Sequence, residues 1–211
     1  MMPIIYVVKH NVLEIAMRVS REQFAQNREK ILTAAGKLFL DKGFTAIGVA
    51  EVMKAAGFTH GGFYGHFESK EQLAYEASRE LFRKTEESWK WIVSSNPDAP
   101  LDALLKHYLA SANLFGPGRS CVFATLSQEL GRQSEEMRAA FADALNALAA
   151  ILVAIVPGSD EADRKHRALF TLTAMMGAVS LARATGDPVL AEALLAAARQ
   201  DLLQRGHSRL G

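Results

Sequence analysis

Residues 59–70 read Thr59-His60-Gly61-Gly62-Phe63-Tyr64-Gly65-His66-Phe67-Glu68-Ser69-Lys70, and the fold turns on how this stretch is read. Phe63 and Phe67 stand four apart, so on a helix they share one face. That face is the buried one, which leaves His60, Tyr64 and the glycines to point elsewhere. Gly61, Gly62 and Gly65 each cost a helix roughly 1 kcal/mol relative to alanine. Three in one short helix need a cause, and close approach of the backbone to another molecule is one.

Upstream, Ile31, Ala34, Ala35, Leu38 and Phe39 make the i, i+3, i+4, i+7 stripe of an amphipathic helix over residues 21–41. Gly43 ends it as a C-terminal glycine cap, and Phe44 packs back. Val49, Val52, Met53 and Ala56 predict a second helix over residues 48–56. Gly57 stops that helix, Phe58 is buried in the turn, and Thr59 is placed to cap the next one. Two helices joined by Gly57-Phe58-Thr59 make a helix-turn-helix, whose second helix would enter the major groove of DNA with its N-terminal residues at base edges. Such pairs occur in any helical protein, so periodicity alone weighs DNA binding and plain packing equally.

Downstream, Ser69-Lys70-Glu71-Gln72 is a capping box with Ser69 as the cap and Gln72 reaching back. It opens a long helix over residues 70–92, with Leu73, Ala77, Leu81, Thr85, Ser88 and Ile92 on its inner stripe. Asn96-Pro97-Asp98 breaks the chain. Further helices are expected over residues 100–115, 121–130, 135–156, 160–185 and 188–204. Gly116-Pro117-Gly118, Pro157-Gly158 and Gly186-Asp187 punctuate them. No strand or repeat is evident, so the fold class is all-α. Residues 1–16 do not share the pattern of the remaining chain. Met17 precedes the polar arm Arg18-Val19-Ser20-Arg21, and we expect native translation to begin at Met17, with residues 1–17 an extension.

The chain has 211 residues, 49% hydrophobic and 22% charged, long enough for one large core or a small domain plus a larger one. A net charge of +1 excludes a uniformly basic nucleic-acid coat. Residues 18–70 nevertheless hold 8 Lys and Arg against 5 Asp and Glu, while residues 71–211 hold 15 against 17. A basic segment on a neutral body suits a small DNA-reading module. The single cysteine, Cys121, rules out an internal disulfide and a cysteine zinc cluster. It fits a reducing, cytoplasmic compartment. No apolar run approaches the ~18 residues of a membrane span, so no membrane partner is expected. Enzyme signatures are missing: no phosphate loop, no His-Glu-x-x-His, no Gly-x-Ser-x-Gly, and no histidines at metal spacing. No catalytic residue, metal or cofactor is expected.

The string from Ala56 to Lys70 resembles the TetR family of transcriptional regulators, whose pattern is Ala-Gly-apolar-Ser/Thr-x-Gly-x-apolar-Tyr-x-His-Phe-x-x-Lys. Lys54-Ala55-Ala56-Gly57 and Phe39-x-x-x-Gly43-Phe44 resemble it too, and the match covers roughly residues 21–70. The resemblance implies a three-helix DNA-binding domain over residues 18–70 and a helical ligand-binding and dimerisation domain over residues 71–211. It implies that Thr59 caps the reading helix and bonds a phosphate, that Tyr64 and His66 contact phosphates, and that Lys70 meets the DNA backbone. His60, Gly61, Gly62 and Gly65 would face bases, with Gly48 beside them. Arg28, with Arg18 and Arg21, would add phosphate or minor-groove contacts. For Tyr64 and His66 the alternative is that both are half-buried supports of the helix. Departures are Ile47-Gly48 where members commonly carry Thr-Thr, Ala50 where many carry Arg, and Gly62 where many carry a hydroxyl. A glycine-rich reading face offers few side chains for bases, so phosphate contacts and DNA shape would supply much of the affinity.

In the body, Trp89, Trp91, Tyr108, Phe115, Phe123, Phe141 and Phe170 are either core or, as the resemblance implies, partly the lining of an effector cavity. The ligand candidates are Trp89, Tyr108, Phe115, Cys121, Phe123 and Phe170. Cys121 follows Arg119-Ser120 at a helix start, where a thiolate would be favoured; the alternative is a small buried apolar residue. Small residues along 160–185 and 188–204 allow close helix approach, and the resemblance implies a homodimer through these helices. The expected function is a ligand-responsive repressor that binds a near-palindromic double-stranded DNA operator as a dimer, its effector a small molecule. The rival is a helical small-molecule-binding or interaction protein that does not bind DNA.

Overall fold

Gly43 and Gly57 are the two places around the helix-turn-helix where the backbone itself demands glycine. In the computed structural model, residues 4–111 and 120–207 are described, with side chains over residues 20–111 and 120–205. Helix α1 (Ile4–Ala46) breaks at Gly43, where φ is 79° and ψ 170°, a conformation that a side chain strains. Helix α2 (Val49–Ala55) closes on Gly57, whose φ is 84°. The Phe58 N–H donates to the Met53 carbonyl at 2.8 Å and the Gly57 N–H to that of Lys54 at 3.1 Å. This is the paired closure of a Schellman motif.

The segment His60–Gly65 is a 3-10 helix and not the α-helix that the sequence leads one to expect. Its glycines make a regular α-helix expensive, and the tighter turn still brings Phe63 to 1% exposure, with Phe67 just beyond it at 2%. The two rings stack at 5.7 Å. The long α3 (Lys70–Ser95) comes next, then α4 (Pro100–Tyr108), α5 (Val122–Leu130), α6 (Glu135–Ile155), α7 (Glu161–Ala184) and α8 (Pro188–His207). Among the described residues there is no strand, as the all-α reading requires. Helix α3 packs on α1 at one end and on α4 and α6 further along, and α7 packs between α6 and α8. One apolar cluster runs from Ile31 through Phe82 and Phe123 to Leu202, so head and body share a core.

Several boundaries differ from the sequence reading. Helix α1 starts at Ile4 and not near residue 21. Nothing from Ile4 to Ala35 is Gly or Pro, and residues 20–26 are exposed, so the buried stripe used to place the start marks only the part that meets neighbours. Helix α4 ends at Tyr108, short of the predicted residue 115: Leu109, Ala110 and Ser111 are not α-helical, and the rest of the predicted stretch, including Phe115 and the Gly116-Pro117-Gly118 break, falls on residues 112–119, which lie outside those described. In α3, Ser88 is exposed, while Phe82 and Trp89 are buried. The large side chains define the buried face there, displacing it by part of a turn. Ser69 Oγ accepts from the Gln72 N–H at 3.1 Å, but Gln72 Oε1 reaches the Glu68 N–H at 2.6 Å, one residue beyond a standard capping box.

Helix α6 corrects the expectation that no apolar run approaches a membrane span. It is 21 residues long with a mean hydropathy of 1.7 over its most apolar window, enough to cross a membrane by length and composition, and 11% of that window is buried. Alanines, interrupted by Asp143 and Asn146, raise the hydropathy without forming a continuous run of large side chains. The helix packs on α3 and α7 through Met137, Leu148 and Leu152.

Candidate nucleic-acid interface

Met53, Phe63 and Phe67 build the head from within; burying each large apolar side chain contributes about 1.5–3 kcal/mol. What remains outside is small and polar. Thr59, His60, Gly61, Gly62 and Gly65 are exposed, and Tyr64 is 70% exposed. Thr59 occupies the cap position with extended backbone (φ −80°, ψ 150°), yet its side chain makes no capping hydrogen bond, contrary to the capping role read from the sequence. Its hydroxyl therefore faces outward uncommitted to the helix. Gly48 caps α2 through its carbonyl, which accepts from the Glu51 and Val52 N–H groups at 3.1 and 3.2 Å.

The glycines divide into two kinds. Gly43 and Gly57 have positive φ. Gly48, Gly61 and Gly65 do not, and a Cβ added at any of the three would meet nothing within 4 Å; at Gly62 it would make an ordinary 3.6 Å contact with Met53 Cε. The fold itself does not require glycine at these four exposed positions. Lys70 stands half-buried at the first turn of α3, where an N-terminal dipole and a cation together suit a phosphate.

His66 and Arg28 sit differently from the exposed set. His66 is half-buried and stacks on Phe24 at 4.3 Å, with Phe67 and Phe58 flanking it. Its Nδ1 is buried without a partner. Burial, and then the nearby Arg28 charge, hold its pKa below the ordinary histidine value, so it is neutral at pH 7. Arg28, read from the sequence as a phosphate or minor-groove contact, is engaged within the chain. Both of its Nη atoms bond the Glu76 carboxylate, one at 2.7 Å, and its guanidinium lies 4.4 Å above the Phe67 ring. It ties α1 to α3. Arg21 is exposed, and the side chain of Arg18 lies outside those described.

Glu129, at the end of α5, was not legible as a functional residue. Its Oε2 accepts from the Phe44 N–H at 2.8 Å and, more weakly, from that of Thr45 at 3.4 Å. A Cβ on Gly43 would lie 2.2 Å from its Oε1. The carboxylate thus caps the chain just ahead of α2 from 85 residues away, a distance over which no local pattern signals.

The body candidates separate. Trp89 meets Tyr108 edge-on at 5.7 Å, both buried, and the Tyr108 hydroxyl is enclosed beside the Cys121 thiol without a well-formed hydrogen bond. Burial raises the Tyr108 pKa well above its usual value. Phe123 forms a triad with Phe82 (5.1 Å) and Phe141 (5.6 Å). Cys121 precedes α5, and although the residue as a whole is half-buried, its sulfur is enclosed. Burial raises its pKa and outweighs the opposing influence of the neighbouring Tyr108 hydroxyl and of the Ala124 and Phe123 backbone N–H groups. Of the two readings of Cys121, the enclosed sulfur fits the small buried residue rather than the thiolate; Arg119 lies outside the described residues. Phe170 stands apart, 44% exposed, on the wall of a cavity between α4, α7 and α8. Among the described residues, no three His, Cys, Asp or Glu side chains gather to hold a metal ion.

Residues 31–83 match the family model of bacterial regulatory proteins, tetR family. The HTH-type transcriptional repressor NemR of Escherichia coli (strain K12) is 29% identical over 128 residues, 59% of this chain and 64% of NemR. The repressor DhaR of Mycobacterium sp. (strain GP1) is 28% identical over 113 residues, 53% of this chain and 56% of DhaR. The chain thus spans somewhat under two thirds of these relatives' length. Among solved structures, the reduced form of E. coli NemR superposes with a TM-score of 0.71 at 22% identity, covering 85% of this chain and 97% of that one. A TetR transcriptional regulator from Chloroflexus aurantiacus J-10-FL superposes with a TM-score of 0.73 at 22% identity, covering 87% and 95%. At such identities the structural likeness is one of fold.

Proposed function

We propose that this chain, which belongs through residues 31–83 to the TetR family of bacterial regulatory proteins, is a transcriptional repressor that binds a near-palindromic operator as a homodimer and is released by a small-molecule effector. The observation that carries this reading is the exposed glycine face. Gly48, Gly61 and Gly65 have no conformational or packing need for glycine within the chain, so an external surface that must approach the backbone supplies the reason. Thr59, Tyr64 and Lys70 surround that face and hold phosphates, while His60 is its main base-reading side chain. Naming of NemR and DhaR as repressors supports the sign of regulation.

In this reading residues 18–70 read DNA and residues 71–211 respond and dimerise. The last two helices expose Leu169 (47%), Leu181 (58%), Val189 (80%) and Leu190 (48%). A second copy would cover these side chains by a two-fold interface. The dimer then presents two reading segments about one DNA turn apart, ~34–36 Å. Because α3 joins head and body, an effector that favours a different separation of the heads weakens operator binding by linkage. No catalytic step enters this mechanism.

The test is a salt-dependent gel shift with DNA from the gene's own promoter region. Wild-type protein should retard that DNA specifically. Tyr64→Phe and Lys70→Ala should weaken the shift without altering dimerisation, and Lys70→Ala should lower the salt slope by about 1. An intact, effector-free dimer with no specific shift would instead favour a helical ligand-binding or interaction protein.

A further inference from the structure

We propose that the cavity between α4, α7 and α8 is a binding site for a small amphiphilic monocarboxylate. The cavity holds about 440 Å³, within the roughly 300–1,000 Å³ of small-molecule sites. Leu101, Val156 and Leu202 line it, each under 9% exposed, together with Phe170. These provide an apolar wall for a hydrocarbon chain or ring. The polar lining includes Arg167, Arg205, His166 and Asp163.

The two arginines are held in a way that leaves their forks open. Arg167 uses Nε alone, donating to both Asp163 oxygens at 3.0 Å. Arg205 uses Nε alone, donating to Asp201 Oδ2 at 2.5 Å, and its guanidinium lies 5.1 Å above the Phe170 ring. Neither arginine's Nη atoms hydrogen-bond a described protein group. Each guanidinium is thus fixed in position by one edge while Nη N–H groups remain for a carboxylate, the anion whose planar geometry the fork matches. Asp163 does not oppose this strongly: its carboxylate is already engaged by the Ser159 N–H at 3.0 Å and by Arg167. An apolar wall beside two half-used guanidiniums selects a ligand with an apolar body and one negative end.

The site lies far from the reading head. Leu101 follows the C-terminal end of α3, and the 26 residues of that helix separate it from Lys70 by about 39 Å. It is also distinct from the Trp89–Tyr108–Cys121 cluster, whose members fill their own space. The assignment does not depend on DNA binding, and its test uses none.

Ligand-observed NMR on the full-length protein, with sodium octanoate as the probe and octan-1-ol as its neutral match, decides the matter. Octanoate should bind saturably and octanol about tenfold more weakly or worse. Arg205→Gln, at an exposed position, should weaken octanoate about fivefold or more while leaving octanol unchanged. Leu202→Trp, which fills the cavity, should abolish both, and Arg167→Gln serves as the second charge variant if helicity and oligomeric state are kept. Equal binding of octanoate and octanol, an unchanged octanoate affinity in folded Arg205→Gln, or no octanoate signal from the folded wild type would each overturn the assignment.

Discussion

The reading head and the aromatic centre of the body bury rings in the same manner and differ in what those rings hold up. In the head, Phe63 and Phe67 are inside, and Thr59, His60, Gly61, Tyr64 and Gly65 around them face solvent. In the body, Trp89 meets Tyr108, Tyr108 meets Cys121, and Phe123 lies in a triad with Phe82 and Phe141. Of the exposed head residues only Tyr64 makes a ring contact with the core, edge-on to Phe63 at 5.2 Å, and a surface left this exposed is open to an outside molecule. A cluster whose members occupy one another is a core. Residue type alone did not separate these cases, since aromatic residues populate both.

The contrast can be broken most forcefully by truncation. Phe63→Ala and Phe123→Ala should each destabilise the protein by about 3–5 kcal/mol in urea unfolding. A cost below about 1 kcal/mol at Phe123 would move it from core to cavity wall. Next in size is Glu129→Ala, which strands the Phe44 N–H and should cost about 1–3 kcal/mol. Amide exchange at Phe44 and Thr45 should accelerate, and unaltered protection there would show that the carboxylate holds nothing.

Smaller and opposite in sign is the effect expected at the exposed glycines. Gly61→Ala and Gly65→Ala should raise stability by about 0.4–1 kcal/mol, because the backbone there tolerates a side chain and the unfolded chain loses freedom. The same variants should bind operator DNA less well. Stabilised variants with wild-type operator affinity would remove the main support for the DNA-facing assignment. The smallest effect concerns His66. Its pKa is lowered in the folded protein by burial and by Arg28, so the unfolded chain takes up a proton first as pH falls. The His66 contribution is complete above the ordinary value near 6.5 and is lost progressively below it, toward the lowered folded value. Thermal melting should therefore fall from about pH 7.5 to about pH 5.5, and His66→Phe should flatten part of that slope. An identical slope in the variant would mean that the imidazole titrates as if exposed.

Much of the head was legible because its determinants are local. Gly43 and Gly57 needed only their position at helix ends, and Phe63 and Phe67 only their spacing. The 3-10 geometry was not legible, because the balance between a glycine-weakened α-helix and a tighter turn is settled by Phe63 reaching the core. The partner of Arg28 was not legible, because a basic residue beside a helix-turn-helix looks the same whether Glu76, 48 residues on, engages it or not. In the body, Phe170 was grouped with Trp89, Tyr108 and Phe123, although it lines a separate cavity. The open forks of Arg167 and Arg205 carry no sequence mark.

Taken by itself, the chain of residues determined an all-helical protein with a helix-turn-helix near its N-terminus, and it determined which residues anchor the reading segment. Periodicity, caps and breakers act over one or two turns, within reach of a local pattern. Tertiary structure alone decided which polar groups are left over. Hydrogen bonds and ion pairs between distant helices engaged Arg28, burial enclosed the Cys121 thiol, and the same packing left Gly61 and Gly65 without neighbours. Availability for an outside partner is a difference between what a side chain offers and what the fold consumes, and the second quantity exists only once the helices have met.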